Sequence, residues 1–377
     1  MSSIQKKHGK LPYTAQFTRG SGTDRIRQDK SFRTKKEARD WLYQIENDFV
    51  NGSSFKKSKM QFIDYYKDWV KLYKEPIVGL ATLESYRVSE KHFRRGALAT
   101  TRMDQLTRDK IQMFFNNLNL AHETARKDLG HLRACLRDAY DDGVLNRNPA
   151  GGRIRVVADP RKTKPDDRKF MAIKDFRRIQ NFLLEYDYRL SDVNRMVLMA
   201  ISQTALRVGE ALALRYEDIN QFKCEIIIDE SWDSMHNLFK EPKTKNSIRN
   251  VPVSRTAMNK IVKWIEFHRR ELFRRGIANP QQLLFQTRQA KLPDSNSINS
   301  AYHQLQKHLG MESKFSTHTM RHTLASMMLA TGEVSLAYIS HYLGHANIMI
   351  TQKYYIGLLP EQVENESAKV VEIVDFG

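Results

Sequence analysis

The chain predicts a mainly α-helical protein with small β-sheets, an α+β architecture of two or three domains. Three observations carry that prediction. Apolar residues recur at helical spacing through most of the sequence, strand-like stretches are confined to short pieces near the N-terminus and near residue 250, and two polar, basic stretches interrupt the pattern. A length of 377 residues accommodates two or three domains.

The N-terminal pieces PYTAQFTRG and Arg25 to Phe32 have strand character and are separated by Gly20-Ser21-Gly22. Thr34-Lys35-Lys36-Glu37 has the form of a capping box, and Ala38, Trp41, Leu42, Ile45 and Phe49 follow along one helical face. Residues 1–55 therefore predict a small basic sheet with one helix packed on it, and three strands are expected in that sheet. Arg19, Arg25, Arg27 and Arg33 lie around its strands and form either a solvated basic surface or candidate contacts to a polyanion. Asn51 to Met60, polar, small and basic, reads as a linker.

Residues 58–152 predict a compact helical domain. Phe62, Tyr65, Tyr66, Trp69, Val70 and Tyr73 form one apolar stripe. Thr107 caps a helix carrying Ile111, Phe114, Phe115 and Leu118, and Leu129, Leu132, Leu136 and Tyr140 line a third, which ends at Asp142-Gly143. Residues 153–169 read as a second linker, with Pro160, Pro165 and the basic residues Arg161, Lys162 and Lys164. Such a connector can lie along phosphates and add salt-sensitive, sequence-independent affinity, or simply tether.

Residues 170–360 predict helices interrupted by one sheet: Phe176 to Leu183, Val197 to Ile201, then CEIII and NVPV bracketing a lysine-bearing hairpin, then a helix with Ile261, Trp264, Ile265 and His268. The tail 361–377 is acidic and then apolar, too short for a domain, and is expected to dock, either on its own domain or on a neighbouring subunit.

A formal charge of +19 and a pI near 9.7 point to a polyanionic partner. No apolar run approaches the roughly 18 residues of a spanning helix, and MSSIQKKHGK lacks the apolar core of a signal peptide, so a protein without a membrane partner, in the cytoplasm, is expected. Cys135 and Cys224, far apart and outside any CxxC or Cys/His cluster, predict neither a zinc module nor a disulfide framework. No clustered carboxylates suggest a two-metal nuclease, so neither metal nor cofactor is expected.

The chemistry concentrates in the C-terminal half. HTMRH places His318 and Arg321 at i, i+3 on one helix face; LGH ends at His345, where Gly344 reads as a helix terminator that exposes the imidazole at a turn; TQKYY brings Tyr354; and TALRVGE contributes Arg207 upstream. A phosphodiester under attack gathers negative charge, which pre-placed donors stabilise, and a guanidinium presents phosphate with a permanently charged fork. A tyrosine oxygen can hold the strand covalently and conserve the bond energy for religation. Singly, each residue would pass as a solvated arginine, an ordinary histidine or a packing tyrosine. Their joint order gives them meaning.

These five residues, in this order and approximate spacing, resemble the tyrosine recombinase (phage integrase) family, in the arm-binding type found in temperate phages and conjugative transposons. The resemblance implies a site-specific DNA recombinase working through a 3′-phosphotyrosine, with an arm-type DNA-binding domain, a helical core-binding (SAM-like) domain and a mixed α/β catalytic domain. It implies Arg207, His318, Arg321 and His345 around the phosphate, Tyr354 as nucleophile with Tyr355 structural, and a hairpin lysine as general acid. That lysine is Lys243, with Lys245 in competition. Glu210 resembles a supporting carboxylate that holds an arginine or histidine in place. Implied partners are double-stranded DNA at core and arm sites, a homotetramer on synapsed DNA, a host DNA-bending protein and a small excision factor, in the nucleoid of a bacterial host. A type IB topoisomerase and a DNA-binding regulator with a decayed site are the alternatives.

Overall fold

In a computed structural model, residues 2–19, 26–50, 55–162, 170–241, 247–312 and 315–355 are described. The chain forms two compact units, Met1–Lys164 and Pro165–Gly377. Arg25, Lys164, Lys243, Lys245 and the tail 361–377 lie outside the described residues.

The first unit opens with an antiparallel sheet, β1 (Ser2–Lys6), β2 (Tyr13–Arg19) and β3 (Ile26–Phe32), in the order β1-β2-β3. Alternation along β2 buries Ala15 and Phe17 with Ala38, Leu42 and Ile45 of α1 (Lys35–Val50), giving this part its own small core. The capping box forms as expected: Glu37 N–H donates to Thr34 Oγ1 and Thr34 N–H to Glu37 Oε2, each at 3.2 Å. The register sets Thr14, Gln16 and Thr18 opposite Ser31, Asp29 and Arg27, so the sheet face turned away from α1 is polar.

The helical part contains α2 (Phe55–Lys59), α3 (Phe62–Trp69) running into a π-helical turn, α4 (Leu80–Phe93), α5 (Arg108–Asn117) and α6 (His122–Asp141) around a separate core. Thr107 caps α5 through its hydroxyl, and Gly143 takes a left-handed φ of 69° just beyond α6. Several expectations need correction. Half of the first linker is the helix α2, and Lys59 reaches Asp104. α4 carries a weaker apolar stripe that the periodicity did not single out. Tyr73 and Tyr140 are exposed at 38% and 47%, because both lie near the helix ends, where Tyr73 hydrogen-bonds Asp142 instead of entering the core. The second linker is no free tether over its described part: Gln112 bonds both backbone groups of Arg155, Asp159 N–H donates to Leu120 O, and Ile154 is buried.

One polar cluster stitches α4 to α6. Asp128, fully buried, accepts from Ser89 Oγ at 2.6 Å and pairs with His92 Nδ1 at 2.8 Å, while His131 Nδ1 meets Ser89 Oγ at 2.8 Å. Burial pushes the His131 pKa down to about 4.

The second unit is built on α8 (Val193–Thr204), buried along most of its length and packed by α7 (Ile173–Glu185), α11 (Ser295–His308) and α12 (Thr317–Ala330). The remaining helices are α9 (Val208–Ala213), α10 (Arg255–Arg274), α13 (Leu336–Leu343) and α14 (Ile348–Tyr355). Strands β4 (Ile219–Asn220), β5 (Glu225–Ile228) and β8 (Arg249–Pro252) form one antiparallel sheet. Between β5 and β8, β6 (Ser231–Asp233) and β7 (Leu238–Lys240) make a hairpin of their own.

Candidate active site

Arg207, Glu210, His318, Arg321 and His345 line one cleft of roughly 620 Å³ in the second unit, together with Lys240 from β7. They come from a few local devices. Arg207 is the N-cap of α9, and Glu210, the third residue of that helix, returns its carboxylate to the Arg207 N–H at 3.0 Å. His318 and Arg321 lie one turn apart in the first half of α12. His345 follows α13 directly, after Gly344 has turned the chain with a φ of 63°.

The C-terminus of α13 organises the cluster. Three consecutive carbonyls there accept from three guanidiniums: Tyr342 O from Arg249 Nε at 2.7 Å, Leu343 O from Arg321 Nη2, and Gly344 O from Arg207 Nη2 at 3.4 Å. Last-turn carbonyls lack intrahelical partners and carry the negative end of the helix dipole, so they attract cations. Arg321 also donates through Nη1 to Ala205 O at 2.8 Å, at the end of α8, where Ala205 holds a left-handed φ of 54°.

Glu210 neutralises part of this charge. It accepts from Arg207 Nη1 at 2.6 Å and from Arg249 Nη2 at 3.0 Å. Burial opposes its ionisation, but Arg249, then Arg207 and Arg321, more than compensate and hold its carboxyl below the usual range. Both histidines are biased toward the neutral form. Desolvation by the neighbouring protein first, then the charges of Arg321 and Arg207, lowers His318, although part of the residue's surface stays open to solvent. Burial, then Arg321, Arg207, Arg249 and His322, lowers His345 to about 3.

Three sequence-based expectations change here. His345 is 5% exposed instead of presented at a turn, because Gly344 folds it inward, and its Nδ1 meets the Thr351 hydroxyl at 2.8 Å. Arg321 is buried, at 2% exposure, with two backbone carbonyls among its partners, while Arg207 is the half-exposed one of the two arginines expected around the phosphate. The sequence suggests a strand-like alternation of Ile248, Val251 and Val253, but the inward residues are Arg249 and Val251 of β8 and Val253 just beyond it, and Ile248 is exposed at 54%. Period two counted back from Val253 reaches residue 249, so the signal for a buried arginine was present. Thr351 and Lys240 were also passed over. Lys240 pairs with Asp233.

Of the remaining expected residues, Tyr354 falls in α14. Arg19, Arg27 and Arg33 are exposed on or beside the N-terminal sheet. Arg161 pairs with Asp159 at 3.2 Å, and Lys162 Nζ donates to Asn119 O at 2.7 Å. Among the described residues no group of His, Cys, Asp and Glu could hold a metal ion, and no helix is long and apolar enough to cross a membrane.

The model of the phage integrase family matches residues 169–358, half of the chain and all of the cleft just described. The chain belongs to the phage integrase family. A second model, the phage integrase SAM-like domain, matches residues 47–154 of this recombinase. It is 25% identical to a tyrosine recombinase XerC-like protein of Caldanaerobacter subterraneus subsp. tengcongensis over 95% of both chains, and 21% identical to the integrase of Staphylococcus phage L54a over 87% of this chain and 97% of that one. Its fold resembles the Tn1549 transposon integrase in complex with transposon right end DNA (TM-score 0.67, 17% identity, 83% of this chain and 100% of that one). It also resembles a lambda integrase dimer bound to a core site (TM-score 0.56, 12% identity, 93% of each chain). The N-terminal sheet with helix, the helical middle and the mixed α/β C-terminal region are the architecture of that fold, and site-specific recombination of DNA is the activity.

Proposed function

We propose that the cleft takes the scissile phosphate of a DNA strand and that Tyr354 attacks it, forming a 3′-phosphotyrosine and releasing the 5′-hydroxyl. The convergence of Arg207, His318, Arg321 and His345 from three segments onto one cleft carries this reading. The half-exposed Arg207 guanidinium and Arg321 offset the charge that gathers on the non-bridging oxygens, with Arg321 held by two helix ends before any substrate arrives. His318 and His345 act as neutral imidazoles that can donate or accept a hydrogen bond at phosphate oxygens or the phenol. The phenol gives up its proton to a neutral imidazole of the cleft as the new P–O bond forms, and Lys243 supplies one to the departing 5′ oxygen. Religation runs the same steps backward and needs neither metal nor ATP.

The larger assignment follows the same reading: residues 1–55 as an arm-type DNA-binding domain, 58–152 as the core-binding domain, 153–169 as a basic linker and 170–360 as the catalytic domain. Arg19, Arg25, Arg27 and Arg33 would meet the arm site, with the polar sheet face of Gln16, Thr18 and Arg27 toward a groove, and Arg161, Lys162 and Lys164 would meet the backbone. The protein would act as a homotetramer on synapsed DNA, with a host DNA-bending protein and an excision factor as partners, to integrate and excise a phage or conjugative element. The tail 361–377 would dock on a neighbouring subunit, so that its deletion weakens synapsis more than binding to a single site. Plasmid products formed in EDTA test the function. Joining between two specific sites is the expected result, whereas relaxation of supercoils without joining would place the chain with the topoisomerases.

A further inference from the structure

The first turn of α14 is inside out. Ile348, Met349 and Ile350 are exposed at 42%, 58% and 41%, whereas Thr351, the polar residue that follows, is fully buried. A buried hydroxyl without a hydrogen bond is costly, and a helical threonine commonly satisfies its own through the carbonyl four residues back. The Thr351 hydroxyl instead stands 2.8 Å from Nδ1 of His345, across the turn that joins α13 to α14. That contact links the imidazole to the helix that carries Tyr354 and Tyr355, which itself packs on α12 and α13.

A neutral imidazole has two tautomers, and the partner of one ring nitrogen decides what the other can do. His345 is held neutral by burial and by the surrounding guanidiniums, so its tautomer is the variable that matters. We propose that Thr351 is a positioning residue that fixes the tautomer of His345 and makes it conditional on the seating of α14. With α14 seated, the buried Thr351 hydroxyl donates to Nδ1, so the ring proton sits on Nε2 and the ring acts there as a donor. With α14 displaced, the hydroxyl leaves with it and the ring exchanges between tautomers. The imidazole is therefore set for chemistry only while the nucleophile-bearing helix is in place. This inference rests on the reading of the cleft as a strand-cleaving site.

The test compares the full-length chain with Thr351→Val, of the same shape without a hydroxyl, Thr351→Ala, smaller and also without one, and Thr351→Ser, which keeps it. Two-bond 1H–15N spectra of the free protein, with the His345 signals assigned by their absence from His345→Gln, read the tautomer without DNA. Wild type and Thr351→Ser should show one tautomer, and Thr351→Val and Thr351→Ala an averaged ring. On a nicked duplex that the wild type cleaves, Thr351→Val should slow single-turnover cleavage ten- to hundredfold, the range typical of losing a partner that orients a histidine, with unchanged affinity for the duplex. Thr351→Ser should stay within about threefold of wild type. An unchanged His345 spectrum in Thr351→Val and Thr351→Ala, or a Thr351→Ser variant as slow as Thr351→Val, would overturn the inference. If the wild type cleaves no duplex while the spectra behave as expected, the cleavage reading fails and the tautomer control stands.

Discussion

Arg249 shows what single residues contribute and why one of them was hard to read. A guanidinium at 3% exposure survives burial because Glu210 and the carbonyls of Tyr342 and Ser247 satisfy it together. Arg249→Met removes that set and leaves Glu210 with Arg207 alone, so urea denaturation should show a loss of about 3 kcal/mol, partly restored in Arg249→Lys. His345 makes a pH prediction. Its folded pKa of about 3 lies below the ordinary histidine value, so the unfolded chain takes up a proton that the folded chain refuses. Its contribution to stability is complete above about pH 6.5 and declines as the pH falls toward 3. The thermal midpoint should therefore drop less steeply between pH 7 and pH 4 in His345→Gln than in wild type, and equal slopes would contradict the buried, cation-flanked imidazole. Arg207, His318, Arg321, His345 and Glu210 were legible because residue type and order alone pick them out. The burial of His345 and the network of Arg249 were not, since both depend on which way a turn or a strand faces, and that is decided by packing distant in sequence.

At the scale of elements, the turn after α13 is the sensitive joint. A Cβ on Gly344 would stand 2.7 Å from Arg249 Nη1, and the left-handed backbone there disfavours any side chain. Gly344→Ala should cost about 1–2 kcal/mol in backbone strain and shift Arg249, with strand cleavage falling more than DNA affinity. Similar DNA affinity and cleavage rate in this variant would show that the three-arginine hub is not needed. In the first unit, Asp128→Ala strands His92 Nδ1 inside the α4–α6 contact and leaves the Ser89 hydroxyl to Ser85 O and His131, and a loss of about 1–3 kcal/mol is expected in denaturation. Long periodic helices, the Thr34–Glu37 capping box and the Thr107 cap were readable from sequence because their signals are local. The helix α2 and the pinned start of the second linker were not. A polar, basic segment gives no periodicity, and its order comes from partners such as Asp104, Gln112 and Leu120, supplied by other parts of the unit.

For the whole molecule, charge and chemistry make separable predictions. A net charge of +19 implies binding dominated by phosphate contacts, so duplex affinity should fall linearly on a log–log plot against salt, by roughly a thousandfold or more between about 50 and 200 mM if six or more phosphates are neutralised. A salt-insensitive affinity would contradict that view. The fold class was legible because family-specific residues and helical periodicity agree, and the division into two compact units falls inside the linker read at 153–169, whereas the grouping of the N-terminal sheet and the helical part into one unit rests on contacts that no linear pattern encodes. The central claim concerns one bond, between a phenol oxygen of α14 and a DNA 3′ phosphate. A nicked duplex carrying the recombination site, incubated in EDTA with wild type and with Tyr354→Phe and then denatured, measures it directly. Wild type should leave protein covalently attached at the 3′ end and Tyr354→Phe none. An adduct that persists in Tyr354→Phe would move the nucleophile to another residue, with Tyr355 first in line, and no adduct with wild type would contradict the account.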